Sequence, residues 1–207
     1  MSGTNAYQRF IGGIEFSGDV REDVQALFEA HHDQETLDHT LHVANEAVRI
    51  ARRFGVDETL ASEAALLHDV SNVVPIQWML SVVETRSIDI LEEEIRFPRI
   101  IHQKLSKDMA KEIFGCTNLS ILNAIECHTT LKAGASQLDK VLFAADKVSW
   151  NLPGAHPYQQ TMRNKLEAFD LDGAVLVYLN HVWEQRDKLK VVHSWLMEAR
   201  QELLSAL

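Results

Sequence analysis

The stretch Ala64-Ala65-Leu66-Leu67-His68-Asp69-Val70 joins an apolar run to a histidine and an aspartate. A helix that is apolar on every side is buried on every side. A carboxylate at the end of such a helix needs a cation or several hydrogen-bond donors, because a bare buried charge is costly. His68 supplies a neutral nitrogen ligand beside it. The pair therefore indicates either a metal site at the mouth of a helical core or a hydrogen-bonded helix end.

The composition favours a single helical domain that works in the cytoplasm. The chain has 207 residues, 46% of them hydrophobic, with only 9 glycines and 4 prolines, so an all-β fold with many tight turns is disfavoured. A net charge of −10 argues against nucleic acid and anionic membranes as partners. The sequence shows no secretion signal and no apolar run of the roughly 18 residues that a membrane span needs.

Apolar residues recur at helical spacing along most of the chain, which predicts an all-α fold. We expect residues 1–18 to form a flexible arm and residues 19–207 to form one domain. Its core lies at about 35–149, and the helices of residues 158–207 pack on that core. The acidic run Glu92-Glu93-Glu94 is expected to form a solvated face.

Further histidines and one further aspartate stand at or near the ends of predicted helices that carry apolar stripes. With the first pair they give six candidate ligands: His39, His68, Asp69, His102, His128 and Asp146. Four histidines and two carboxylates without a thiolate suit iron, manganese or zinc. Six ligands are too many for one catalytic ion with an open position, so the set predicts two ions, with Asp69 as the natural bridge.

The remaining histidines show no comparable pattern and are left unassigned. We expect His31 and His32 to be exposed at a helix end and His42 to lie one turn away from the site. The other unassigned histidines have no suggestive carboxylate partner; they are His156, His181 and His193.

The ligand-bearing motifs resemble those of the HD-domain metal-dependent phosphohydrolases, and most closely the YqeK branch of symmetrical diadenosine tetraphosphatases. The similarity covers about residues 35–149. The motifs that carry it are Asp38-His39-Thr40, Leu66-Leu67-His68-Asp69, Ile101-His102, the segment 121–130 ending in His128-Thr129-Thr130, and the segment 138–146 ending in Asp146. The resemblance implies an HD-type helical bundle, a dinuclear centre that often contains iron, and hydrolysis of dinucleoside polyphosphates. It also implies a possible homodimer.

The sequence departs from the family pattern at positions expected to touch phosphate. Asn72 stands where the family usually has lysine, and Leu131-Lys132-Ala133-Gly134 stands where it usually has Gly-Arg-Pro-Gly. After the last ligand, Lys147-Val148-Ser149-Trp150 replaces Tyr-Ile-Glu-Pro. The metal ligands are kept, so metal-dependent hydrolysis is the firmer expectation and the particular substrate the weaker one.

The resulting hypothesis is a phosphohydrolase that cleaves a nucleotide or a dinucleoside polyphosphate. We expect Asp69 and His68 to act at the metal centre and Lys132 to hold phosphate charge. Asn72, Thr129 and Arg99 are the other expected substrate contacts, with Lys104 as a weaker candidate. The alternatives are a divergent hydrolase of another phosphate ester, such as a nucleoside monophosphate, and a nucleotide sensor without catalysis.

Overall fold

All regular secondary structure in the described residues, 6–150 and 156–206 of this computed structural model, is helical. The prediction of an all-α fold is therefore confirmed. The helices are α1 Gln8–Ile11, α2 Val20–Ala30, α3 Gln34–Phe54, α4 Glu58–Leu67, α5 Ile76–Arg86, α6 Glu92–Arg96, α7 His102–Glu112, α8 Leu119–Cys127, α9 Gln137–Ser149, α10 Pro157–Glu167, α11 Leu171–Glu184 and α12 Ser194–Ser205. Among these residues, no helix is both long and apolar enough to cross a membrane.

Local capping sets where the central helices begin and end. The Asp57 side chain accepts hydrogen bonds from the backbone of Thr59 and Leu60 at the start of α4. Ser136 and Asp139 form a reciprocal capping box at the start of α9. Gly55, in the left-handed conformation with φ of 68°, ends α3, because glycine has no Cβ to oppose that backbone geometry. These residues fix the lengths of the helices that carry the site.

The core lies between α3, α4, α8 and α9. Helix α4 is buried through its second half, as its apolar sequence predicts: Ala64, Ala65 and Leu67 are fully buried. Facing helix α3 contributes fully buried alanines of its own, including Ala47. Small residues on both helices allow their backbones to approach closely. A second cluster joins α9 to the C-terminal helices α11 and α12 through Phe143, Leu179, Leu196 and their neighbours.

The N-terminal segment differs from the expected flexible arm. Residues 1–5 lie outside the described residues, but Tyr7 is fully buried and Phe10 nearly so. The Tyr7 hydroxyl donates to Asp108 Oδ2 at 2.7 Å, and Arg86 Nε donates to the same oxygen at 2.7 Å. Two aromatic rings and a shared ion pair fasten this segment to the domain. The sequence does not reveal this attachment, because the segment has no helical periodicity.

The acidic run on α6 also differs from its prediction. Glu94 is fully buried rather than solvated. Its Oε2 accepts hydrogen bonds from Lys104 Nζ at 2.7 Å and from the Leu91 backbone at 2.6 Å. His193, for which no carboxylate partner was expected, lies with its Nε2 3.3 Å from Glu94 Oε1. This network ties α6 and α7 to the segment that begins α12.

Replacing Glu94 by alanine should destabilise the fold strongly, because Lys104 would remain buried without its counter-charge. Breaking one partner of a buried pair costs about 3–5 kcal/mol in the free energy of unfolding. Urea unfolding of the metal-free protein measures this. The matched control is Glu92→Ala, which removes a mostly exposed carboxylate of the same helix and should change stability by less than about 0.5 kcal/mol.

The double variant Glu94→Leu with Lys104→Met removes both charges and should recover much of the loss. If Glu94→Ala and Glu92→Ala unfold at the same urea concentration, the buried network does not contribute as described.

Candidate metal centre

Five separate parts of the fold deliver the six predicted ligands to one place. His39 lies in the second turn of α3, and Asp146 lies in the last turn of α9. His68 and Asp69 follow α4 directly, His128 follows α8 directly, and His102 begins α7. Five of the ligands thus lie at or next to a helix end or start, whereas His39 comes from within the 21-residue α3.

Asp69 stands between two groups of ring nitrogens. Its Oδ2 lies 3.5 Å from His68 Nε2. Its Oδ1 lies 3.4 Å from His102 Nε2 and 3.5 Å from His128 Nε2. These separations exceed the usual range of about 2.7–3.2 Å for N–H···O hydrogen bonds. Asp69 thus presents one oxygen to each group, as a carboxylate shared by two ions would.

The first group includes the second carboxylate. Asp146 Oδ1 lies 3.1 Å from His39 Nε2 and 3.8 Å from His68 Nε2. The described residues contain two clusters in which ligand atoms lie within 4.8 Å of one another: His39 with His68 and Asp146, and His68 with Asp69 and His128. These clusters contain five of the six ligands and share His68, and His102 adjoins the second cluster through Asp69 and His128.

The histidines are oriented by their own backbone. The Nδ1 atoms of His68, His102 and His128 lie 2.6, 2.7 and 2.8 Å from the carbonyl oxygens of residues three positions earlier. A carbonyl only accepts, so each Nδ1 carries a proton and each ring turns its Nε2 toward the centre. His102 Nε2 and His128 Nε2 face each other at 3.1 Å. Two facing lone pairs repel unless a cation or a proton lies with them.

Unpartnered atoms show that this set fits a metal ion. His68 Nε2 and Asp69 Oδ1 are buried without a hydrogen-bond partner in the described part of the chain. Leaving such acceptors unsatisfied costs about 1–3 kcal/mol each. Nitrogen and carboxylate donors with no thiolate suit iron, manganese or zinc. The residues present therefore fit divalent cations.

Local electrostatics act differently on the individual ligands. Burial lowers the pKa of His68, and it lowers the pKa of His102 to about 3, so the His102 ring is neutral at pH 7. Burial also opposes charge on His39, but its hydrogen bond with Asp146 outweighs this and raises the pKa of that ring.

Burial alone would raise the pKa of the two carboxyl groups. Neighbouring groups outweigh it, chiefly His68 for Asp69 and Lys147 for Asp146, and hold both pKa values below the ordinary one. Both aspartates are therefore charged at neutral pH.

The centre opens into a cavity of about 1020 Å³. Three of the residues expected to contact substrate line it, namely Asn72, Thr129 and Arg99. Thr129 Oγ1 lies 3.1 Å from His102 Nε2, which places a hydroxyl beside the ligand shell. Arg99 is exposed.

Two lysines expected near phosphate lie elsewhere. Lys132 Nζ is 3.5 Å from Glu126 Oε2 and 5.9 Å from the centre of the Trp195 ring, and Lys132 is not among the residues that line the cavity. Lys104 is buried against Glu94. Both lysines follow a candidate ligand closely in the sequence, and Lys132 stands in the segment that the resemblance assigns to phosphate. Neighbouring acids and Trp195 instead hold their ammonium groups away from the cavity.

The cavity also contains residues that the sequence did not indicate. Arg163 on α10 lines it, with Nη2 donating to the carbonyl of Val148. His42 lines it as well, although it was expected to lie away from the site. Arg163 lies outside the ligand-bearing region and follows no recognisable pattern, so only the packing of α10 against α9 reveals it.

Comparison with known families agrees with this geometry. The HD domain family model matches residues 36–151, more than half of the chain. The chain belongs to the HD-domain family. The protein named "Uncharacterized protein in pepC 5'region" of Lactococcus lactis subsp. cremoris is 41% identical over 148 residues, which is 72% of this chain and 74% of the relative.

Two further relatives carry functional names. The "Bis(5'-nucleosyl)-tetraphosphatase, symmetrical" of Bacillus subtilis is 29% identical over 75% of this chain and 82% of its own length. A Clostridium acetobutylicum structure, described as a "predicted HD superfamily hydrolase involved in NAD metabolism", superposes with a TM-score of 0.82 at 26% identity, covering 93% of this chain and 99% of that one. This HD-domain protein is thus a metal-dependent phosphohydrolase.

Asp69→Ala should abolish tight metal binding, because it removes the carboxylate that faces both groups of ring nitrogens. Metal content after dialysis, measured by elemental analysis, should fall to less than about one tenth of the wild-type value, a loss of at least about 1.4 kcal/mol in binding free energy. His42→Ala is the control, since it deletes an exposed histidine of the same cavity outside the ligand set. Full metal content in Asp69→Ala would contradict the bridging assignment.

Proposed function

We propose that this HD-domain protein cleaves a dinucleoside polyphosphate of the diadenosine tetraphosphate kind symmetrically, using two divalent ions, of which iron is the first expectation. The observation that carries the proposal is Asp69, whose two oxygens face separate groups of histidine ring nitrogens in the wall of a large cavity. The name of the Bacillus subtilis relative supports the substrate class. Manganese and zinc are the alternatives that the ligand set also suits.

The cavity is large enough for such a substrate. Its volume of about 1020 Å³ lies at the upper end of the range of about 300–1,000 Å³ typical of small-molecule sites. A nucleoside monophosphate would fill only part of this space. The size therefore favours a ligand with more than one nucleoside or with an extended phosphate chain.

The ligands would hold two ions in distinct ways. His39, His68 and Asp146 would hold one, His102 and His128 the other, and Asp69 would contact both. Divalent ions in such a pair supply a hydroxide nucleophile at neutral pH and polarise phosphoryl oxygens. The backbone carbonyls that fix each Nδ1–H keep the rings aimed at the centre, so no reorganisation of ligands is needed during the reaction.

Arginines at the cavity wall would neutralise the phosphate chain. Arg99 is exposed, whereas Arg163 is half-buried and is oriented by its hydrogen bond to the Val148 carbonyl. A guanidinium group can bind two phosphate oxygens at once. Asn72 and Thr129 would add neutral donors. Arg163 thus takes the phosphate-binding role that the sequence assigned to Lys132.

The direct test is product analysis. Metal-free protein is reconstituted without oxygen with Fe²⁺, Mn²⁺ or Zn²⁺ and incubated with diadenosine tetraphosphate and a panel of nucleoside mono-, di- and triphosphates. Symmetrical cleavage gives ADP as the only nucleotide product, whereas asymmetrical cleavage gives ATP and AMP. Preferred turnover of a monophosphate would replace this substrate with the divergent-hydrolase alternative. Binding without product over hours, with metal present, would support the sensor alternative instead.

Two other expectations belong to this proposal. Both cysteines are buried and free, which suits a reducing cytoplasm. A homodimer is expected from the family resemblance, and light scattering of the purified full chain measures it. We also propose that residues 19–207 form one domain, onto which the segment with Tyr7 and Phe10 packs, and limited proteolysis would test this.

Arg163→Met should raise KM for the dinucleotide about tenfold or more, because a charge-assisted hydrogen bond is worth about 1.5–3 kcal/mol. Lys132→Met is the matched control: it removes a cation that points to Glu126 rather than into the cavity, and KM should change by less than about twofold, equivalent to about 0.4 kcal/mol. Steady-state kinetics on both variants measure this. A larger effect in Lys132→Met than in Arg163→Met would reverse the two assignments.

A further inference from the structure

Lys147 is a buried cation that the site as described does not use. It is fully buried, which is rare for lysine unless the ammonium is paired. Its Nζ lies 2.6 Å from Asp146 Oδ2. The rings of Phe143, Trp150 and Tyr178 surround it, with centres 5.2, 4.5 and 5.5 Å from Nζ. The ammonium therefore sits in an aromatic enclosure directly behind one metal ligand.

The two oxygens of the Asp146 carboxylate have different partners. Oδ2 is engaged by Lys147, whereas Oδ1 faces His39 and also accepts from Trp150 Nε1 at 2.9 Å. Asp146 can thus offer Oδ1 to a divalent ion while Oδ2 stays bound to the ammonium. The indole N–H and the ammonium together fix the plane of the carboxylate.

The other carboxylate has no such partner. In the described part of the chain, no lysine or arginine forms an ion pair with Asp69, and its Oδ1 has no hydrogen-bond partner. The surroundings of the two carboxylates therefore differ by one buried positive charge. In a poorly solvated interior such a charge acts strongly on a neighbouring ion, and salt screens it little.

We propose that Lys147 is a resident counter-cation for Asp146, which keeps the metal-free centre folded and lowers the affinity of the divalent ion that binds on the Asp146 side. Without metal, the ammonium neutralises a carboxylate that would otherwise be buried and charged. With metal, the same ammonium repels the incoming ion. This inference rests on the metal centre of the proposed function and not on its substrate.

The proposed role predicts that removing Lys147 changes the stability of the metal-free protein and its affinity for metal in opposite directions. Removing the ammonium should destabilise the metal-free protein, because Asp146 loses its counter-charge. The same change should strengthen metal binding, because a repulsive charge is gone. A lysine that only supported the position of Asp146 would weaken metal binding when it is removed. The direction of the change in affinity therefore separates the two roles.

The test uses chelator-treated full-length protein titrated with Mn²⁺, with free Mn²⁺ counted by electron paramagnetic resonance. His39 lies beside Asp146, so the Mn²⁺-binding step that is lost in His39→Ala is the one on the Asp146 side. In Lys147→Gln, which keeps an N–H donor, and in Lys147→Met, which does not, that step should tighten at least about tenfold, or about 1.4 kcal/mol. The melting temperature of both metal-free variants should fall.

Lys140→Met is the matched control. Lys140 lies two turns earlier on α9 and pairs with Asp172 at 2.6 Å, so the variant loses the same net charge away from the centre. Its Mn²⁺ affinities should match the wild type. Unchanged or weaker binding at the His39-sensitive step in folded Lys147→Gln and Lys147→Met overturns the proposal.

A second comparison applies if the Lys147 variants do not fold. Asp146→Asn leaves Lys147 buried without a counter-charge and should lower the metal-free melting temperature far more than Asp69→Asn does. Adding Lys147→Met to Asp146→Asn should restore part of the loss. Equal stability of the two aspartate variants overturns the proposal. Both tests measure metal binding or stability and neither measures turnover. A protein that binds two ions but cleaves no substrate would therefore contradict the proposed function without contradicting this inference.

Discussion

Two carboxylates at the end of a helical core, Asp146 buried and Asp69 mostly so, are the constraint on which the structure of this centre depends. Asp69 and Asp146 both lie among apolar helix ends, where an uncompensated charge is costly. Asp146 is compensated by Lys147, His39 and Trp150. Among the described residues, the groups that pair with Asp69 are the imidazoles of His68, His102 and His128, and no lysine or arginine does so. A cation bound at Asp69 would therefore offset this charge as well as form part of the reactive site that we propose.

The sequence could predict that these candidate ligands converge, because most of them are attached to a local signal. His68 and Asp69 end an apolar run, and Asp146 ends another. The packing of the helices then brings these residues together, so local signals were enough to select candidates that come from distant segments. The all-α fold followed from the same periodicity. In both cases the information lay within a single helix and its caps.

What the sequence could not predict depends on which side chains meet across elements. Lys132 and Arg163 are both ordinary cations in the sequence, and only the packing of α10 and of Trp195 decides that Arg163 reaches the cavity while Lys132 turns to Glu126. Glu94 belongs to a run of three acids whose other members are not buried. Its burial depends on Lys104 and His193, which lie 10 and 99 positions away.

The two buried lysine–carboxylate pairs show how structural and functional polar clusters differ. Around Glu94, both oxygens have partners, and none of the side chains in that network has an unpartnered buried atom. Such a cluster has matched donors and acceptors, so it can stabilise packing without a bound ligand or ion. Around Asp69 and Asp146, acceptors outnumber donors even after Lys147 is counted, and the excess lies on His68 Nε2 and Asp69 Oδ1. An excess of acceptors that opens into a cavity lined by arginines is what a cation and an anionic substrate would together satisfy.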